Sequence, residues 1–194
     1  MTRFVADDGQ TPAGSTVGNA AMRSRRELIL YATPGGEFGE ACDRFFAEVA
    51  ASGRSTTAQS YPPHVSLTGF FRRPPVAVER LTLEVQAAIA AAPRGPVAVD
   101  PIARREGWLG VEIKSDWLLE LASLFAARHR LEHGDDPIRL KDWLHLSLAY
   151  GEFPVGTGAQ DYLDQAQATI AVNAPARWSV GLWERRDSDW IRHR

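Results

Sequence analysis

Cysteine is nearly missing from this sequence: Cys42 is the only one in 194 residues. An intrachain disulfide is impossible, so the fold rests on packing, and a reducing cytoplasm is the simplest setting. No run approaches the ~18 consecutive apolar residues of a membrane span, and no membrane association is expected. An excess of either charge is lacking too. Lys and Arg number 22 against 24 Asp and Glu, a formal net charge of −2. A long nucleic-acid footprint, which needs a strong basic excess, is thereby excluded, while a small phosphorylated ligand needs only a local patch. The N-terminal stretch lacks the basic start and apolar run of a signal peptide. Residues 1–22, rich in Gly, Thr, Ala and Asp, read as a disordered tail, and 23–194 as a single domain with no obligate protein partner in evidence.

The remaining sequence alternates between strand-like and helix-like patterns. Leu28 to Ala32 is a short apolar run before Pro34-Gly35-Gly36, a strand and then a turn. Phe38, Cys42, Phe45, Phe46 and Val49 recur at helical spacing up to Gly53. Pro74-Pro75 precedes a second helix with Leu81, Val85, Ala88, Ile89 and Ala92 on one face. Asp116 is the expected N-cap of a third, with Leu118, Leu121, Leu124, Phe125 and Leu131 facing inward. Val97–Val99 and Trp108–Ile113 read as strands joined by a polar Arg104-Arg105-Glu106-Gly107 turn. A fourth helix is expected over 160–171, followed by strands at Trp178–Trp183 and Trp190–Ile191 around Asp187-Ser188-Asp189. Helices interleaved with hairpin-like strands point to an α+β domain.

Two of the five histidines open the same four-residue pattern. His64-Val65-Ser66-Leu67 and His145-Leu146-Ser147-Leu148 each read His, apolar, hydroxyl, apolar. Side chains alternate along a strand, so each segment presents a histidine and a serine on one face and two apolar residues to a core. The first strand extends from the Pro62-Pro63 approach as far as Phe71, and the second covers Trp143 to Tyr150. The histidines are 145 − 64 = 81 positions apart, about half the structured length. Each half offers a helix, a Pro-bearing approach, a His-x-Ser strand and another helix. Two such strands brought together would set two imidazoles and two hydroxyls around one cleft.

That constellation suits phosphodiester chemistry. Hydrolysis of a cyclic phosphate removes a proton from water and returns one to the departing alkoxide, on opposite sides of phosphorus. One residue cannot reach both, and imidazole titrates near neutral pH, so two histidines across a cleft fit both roles. The serines serve better as donors to developing negative charge than as nucleophiles.

The segments Pro63-His64-Val65-Ser66-Leu67-Thr68-Gly69 and His145-Leu146-Ser147-Leu148-Ala149-Tyr150-Gly151 resemble the paired signatures of the 2H phosphoesterase superfamily. That superfamily also includes bacterial RNA 2′,3′-cyclic phosphodiesterases. The second segment is most similar to that of the plant and fungal cyclic phosphodiesterases, which also ends in tyrosine. The resemblance implies two pseudo-symmetric lobes, each an antiparallel sheet with flanking helices, enclosing a central cleft. It implies hydrolysis of a 2′,3′-cyclic phosphodiester on a nucleotide or RNA end to a 2′-phosphate, with no metal or other cofactor. It assigns His64 and His145 as the acid–base pair, with His145 on the water side, and Ser66, Ser147 and Tyr150 as phosphate-binding residues. The residues themselves leave open which histidine is the base. Tyr150 lies an odd number of positions from His145, so a straight strand would point it away, and the strand must end or bulge near Gly151.

Other signals compete. His129-Arg130-Leu131-Glu132-His133 matches a His-x-x-Glu-His zinc pattern, but at the end of the third helix and without an evident third ligand. No Gly-x-Ser-x-Gly elbow exists, and Gly151–Thr157 has the glycine spacing of a P-loop without its lysine. The alternative of a different kind is a phosphate- or RNA-end-binding module without turnover. In it, Arg72, Arg73, Arg104, Arg105, Arg139 and Lys141 supply charge, and Trp108 or Trp143 stacks on a base.

Overall fold

A computed structural model describes residues 25–129, 131–132, 134–151 and 158–194. The expected tail, the glycine-spaced run from 152 to 157, and His133 of the zinc-like pattern lie outside the described residues.

The apolar run at Leu28 becomes β1 (Arg26–Gly35), the longest-paired strand of an antiparallel sheet. Leu28, Leu30 and Ala32 are fully buried on its core side. Gly36 then turns the chain at φ +70°, and α1 (Gly36–Ala51) begins. Gly39 has no alternative there, because a Cβ would lie 2.6 Å from the Pro34 carbonyl oxygen. After α1 come a 3₁₀ turn (Thr57–Ser60), β2 (Val65–Ser66) and β3 (Phe71–Arg73).

The first motif strand is therefore broken, not continuous to Phe71. Tyr31 pairs with Ser66, but Leu28 pairs with Phe71, so the register sum moves from 97 to 99 and two extra residues bulge out. Thr68, fully buried, replaces the missing ladder bond by accepting from the Leu30 amide at 3.1 Å.

The second half begins with α2 (Val78–Ala91), preceded by a Pro75–Ala77 3₁₀ turn, and continues through β4 (Ala98–Val99), β5 (Ala103–Arg105) and β6 (Trp108–Lys114). Arg104 and Arg105, expected in a turn, sit in β5 paired to Leu109 and Trp108, and the turn is confined to Glu106-Gly107 with Gly107 at φ +66°. In α3 (Asp116–Arg128) the cap is Ser115, whose Oγ accepts from the Leu118 amide at 3.3 Å, and Asp116 is the first helical residue. The helix stops before Leu131, which is 53% exposed and does not join the inward face. Then follow β7 (His145–Tyr150), α4 (Ala159–Thr169), β8 (Arg177–Arg186) and β9 (Asp189–His193), the last two forming the expected hairpin with Asp187 at φ +56°.

The described residues thus form an α+β fold of four α-helices and nine strands. The strands make one open sheet in the order β4–β6–β7–β2–β1–β8–β9, with β3 also on β1 and β5 on β6. All pairings are antiparallel. Phe38, Cys42 and Phe45 of α1, Leu81 and Val85 of α2, Leu118, Leu121 and Phe125 of α3, and Tyr162 of α4 join the inward strand residues in one buried cluster. Val65, Leu67, Leu146 and Leu148 are in that cluster at 0–1% exposure, as their alternation predicts. Each such side chain contributes roughly 1.5–3 kcal/mol on burial, which fixes the phase of both motif strands. No described helix is long and apolar enough to cross a membrane.

Candidate active site

The two motif strands are neighbours. Val65 of β2 pairs with Leu146 of β7 in antiparallel register. Carried one residue either way, this sets His64 against Ser147 and Ser66 against His145, since 64 + 147 and 66 + 145 both equal 65 + 146. The four polar residues form a reciprocal quartet, each histidine facing the other strand's serine. The two histidines sit on a diagonal, where Cα atoms lie roughly 7–8 Å apart. His64, Ser66, His145 and Ser147 line one cavity of about 210 Å³ together with Trp108 and Tyr150.

Both imidazoles are held in the same way. His64 Nδ1 lies 2.7 Å from the carbonyl oxygen of Pro62, and His145 Nδ1 lies 3.2 Å from that of Trp143, each two residues upstream. A carbonyl only accepts, so Nδ1 carries the proton in both rings and Nε2 is left as the reactive nitrogen. Neither Nε2 has a hydrogen-bond partner among the described residues, and neither is sealed from solvent. An aromatic ring backs each imidazole: Tyr31 against His64 at 3.8 Å between centroids, and Trp143 against His145 at 3.9 Å and 26°.

The environments of the two rings differ in strength. Burial pushes the His64 imidazolium down to about 4, against the opposing effect of the Pro62 hydrogen bond and with help from the charge of His145. His145 is also lowered, by burial first and then by the charges of Lys141 and Arg105, while the Trp143 carbonyl and the Glu112 carboxylate act to raise it. Glu112 is its cross-strand partner on β6 and is itself ion-paired to Arg105. Arg105 in turn lies 4.9 Å from the centre of the Trp143 ring, so Trp143 contacts both a guanidinium and the His145 imidazole.

Tyr150 reaches the site through a bulge, as the parity argument requires. Gly110 pairs with Ser147 but the next residue back, Leu109, pairs with Ala149, so Leu148 is the extra residue. The 3₁₀ segment clasps this irregularity. Gln59 Nε2 donates to the Leu148 carbonyl at 2.7 Å, and the Tyr150 amide donates to Thr56 Oγ1 at 3.3 Å. The Tyr150 phenol is raised by burial and by its interaction with Tyr61, so it stays a protonated donor. Gly110 matters here: a Cβ would lie 2.2 Å from the Leu146 carbonyl oxygen and 2.6 Å from Trp108 Cζ2. Its bare backbone lets the Trp108 indole cross the strand and donate from Nε1 to Ser147 Oγ at 2.9 Å.

The site contains residues that carry no motif. Tyr31 pairs across from Ser66, and Tyr61 and Trp190 complete a wall at 5.7 Å and 5.6 Å from His64 and Tyr31 respectively. A weak signal for Tyr31 exists in the sequence: it is an aromatic residue in the phase of β1 opposite to Leu28, Leu30 and Ala32.

The candidate cations scatter. Arg73 is fully buried, donating from Nε to His129 Nε2 at 2.9 Å and pairing with Asp135 at 3.4 Å. His129 Nδ1 faces Glu84 at 3.2 Å, so both nitrogens of this half of the zinc-like pattern are engaged. Arg72 pairs with Glu27, Arg104 contacts Gln160, and Arg139 packs against Gly69. Lys141 adds positive charge at His145, and Arg105 joins the Trp143 stack. A larger cavity of about 630 Å³ lies against Trp117 and Trp178, away from both motifs. No protein-family model and no curated protein matches the chain.

Proposed function

We propose that this protein is a 2H-type cyclic phosphodiesterase, with the portions of the sheet on either side of the β2–β7 seam as its two lobes and the quartet as its active site. The substrate is a 2′,3′-cyclic phosphate on a nucleotide or RNA end, met in a reducing cytoplasm, and the product is a 2′-phosphate. The observation that carries this reading is the reciprocal quartet, with both Nδ1 atoms tied to carbonyls and both Nε2 atoms free.

The chemistry follows from the two environments. His64, the more strongly depressed, is neutral at neutral pH and accepts a proton from water through Nε2. The water oxygen attacks phosphorus, the bond to the ribose 3′ oxygen breaks, and that oxygen takes a proton from His145 Nε2. His145 is the less buried of the two rings and keeps a carboxylate, Glu112, beside it, so of the pair it is the one left to act as the acid, although burial and Lys141 lower it too. This assignment reverses the one implied by the family resemblance. Ser66, Ser147 and Tyr150 donate to the non-bridging oxygens, whose charge grows in the transition state.

The test is turnover of adenosine 2′,3′-cyclic phosphate by the single variants His64→Ala, His145→Ala, Ser66→Ala and Ser147→Ala, with the product identified by phosphorus NMR. Loss of either histidine should cost about 10²–10⁴-fold in kcat. Each serine variant should retain more activity than either histidine variant. Full activity in His145→Ala overturns the acid–base reading. Tight binding without turnover by the unaltered protein would instead establish the binding module.

A further inference from the structure

Row arithmetic carries the site beyond the quartet. Ser66 pairs with Tyr31 and Tyr31 with Gly181 of β8, so His145, Ser66, Tyr31 and Gly181 form one line across four strands. The parallel line runs Ser147, His64, Thr33 and Ser179, where the last two hydroxyls are 2.9 Å apart. At the end of the first line the sheet is bare at Gly181, and Arg192 of β9 lies over it. A Cβ at Gly181 would come 2.8 Å from Arg192 Nε.

Three of the arginines on this face are neutralised, Arg72 by Glu27 at 3.6 Å, and Arg177 stands at the far end of β8 opposite Gly35. Arg105 pairs with Glu112, and Arg185 donates from Nε to Glu27 at 2.6 Å. Arg192 has no carboxylate within 4 Å among the described residues. It is partly buried, gives one N–H to the Val180 carbonyl at 3.3 Å and lies 5.9 Å from the Trp183 ring. A guanidinium has five donors, so most remain free for a ligand. With strands about 4.8 Å apart, Gly181 lies on the order of 10 Å from Ser66, with the buried Tyr31 between them, so a ligand touching both would cross over the Tyr31 position. That distance is the span from a phosphate held by the serines to a second one across the same ribose.

We propose that Arg192, resting on Gly181, binds a second phosphate of the substrate and makes the site selective for nucleotides that carry a 5′-phosphate as well as the 2′,3′-cyclic one. The proposal rests on the quartet as the primary phosphate site. An unpaired, partly desolvated cation at that distance is the feature a second anion would satisfy, and a charge-assisted contact of this kind changes affinity by about 10–100-fold.

The test compares adenosine 2′,5′-bisphosphate with adenosine 2′-monophosphate by calorimetry, so it reads the subsite without needing turnover. The unaltered protein should bind the bisphosphate at least about tenfold more tightly. In Arg192→Gln the ratio of the two affinities should fall to about one. Gly181→Ala, which pushes a flexible side chain and not backbone, should lower the same ratio by displacing the guanidinium. Equal affinities in the unaltered protein, or a preference that survives Arg192→Gln, overturns the proposal. If neither ligand binds even though the fold is intact, the quartet reading fails as well. If the 2′-monophosphate binds without a bisphosphate preference, only the Arg192 subsite fails.

Discussion

The Trp108 indole donates to the Ser147 hydroxyl across the β6–β7 pair at 2.9 Å. A hydroxyl that accepts this bond points its own proton elsewhere, and the direction left open is the cavity. Trp108→Phe keeps the ring and removes the donor. Such a bond is worth about 1 kcal/mol, so kcat for a cyclic phosphate should fall by a factor of about five with little change in fold. Steady-state kinetics of the variant checks this, and an unchanged kcat would show that Ser147 needs no orientation.

Gly110→Ala should be far more harmful than its size suggests. The added methyl meets the Leu146 carbonyl at 2.2 Å and the Trp108 ring at 2.6 Å. Overpacking of this kind costs about 1–3 kcal/mol, or roughly 2–10 °C in Tm. Activity should drop together with Tm, because both contacted groups adjoin the quartet. Differential scanning calorimetry and turnover measured on the same preparation give the answer.

The pH dependence of kcat/KM should be a bell lying on the acid side of neutrality. The proposed base, His64, loses its neutral form as pH falls through about 4. The proposed acid, His145, is lowered from its ordinary 6.5, so the alkaline limb begins below that value. An optimum above pH 7 would contradict the environments of both rings.

Stability should respond to the same group. The folded protein holds the His64 imidazolium at about 4, and the unfolded chain has it near 6.5. Between these values the unfolded form takes up a proton that the folded form refuses. Acidification therefore destabilises the protein from about pH 6.5 downward, and the loss attributable to this group flattens below about pH 4. Denaturant titrations of the unaltered protein and His64→Asn should show their stability difference shrinking steadily as pH falls from 7 to 4.5. A constant difference would mean that the ring is not desolvated on folding.

Much of the site was readable because strand alternation is local. Val65, Leu67, Leu146 and Leu148 declare the buried face, and the histidines and serines then share the other. Even the need for a bulge before Tyr150 follows from counting positions. What alternation cannot supply is register between strands 81 positions apart, so which histidine faces which serine emerges only from the Val65–Leu146 pairing. Tyr31, Tyr61 and Trp190 arrive by cross-strand and loop packing and leave no spacing signature. Arg73 is expected among the cations that supply charge to a ligand, yet alternation on β3 turns it inward to His129 and Asp135. Likewise Ser115 displaces Asp116 as the cap by a single residue, a shift that only the hydroxyl geometry reveals.

The seam under the quartet has one further consequence. β1 and β8 share nine paired positions, whereas β2 and β7 share one, supplemented by the Thr68–Leu140 bridge. Among the described strands the sheet thus has its fewest paired positions directly beneath the quartet. On the proposed reading, an anion gripped by a serine from each side would act there as a rivet, stiffening the joint while it is present and releasing it on departure.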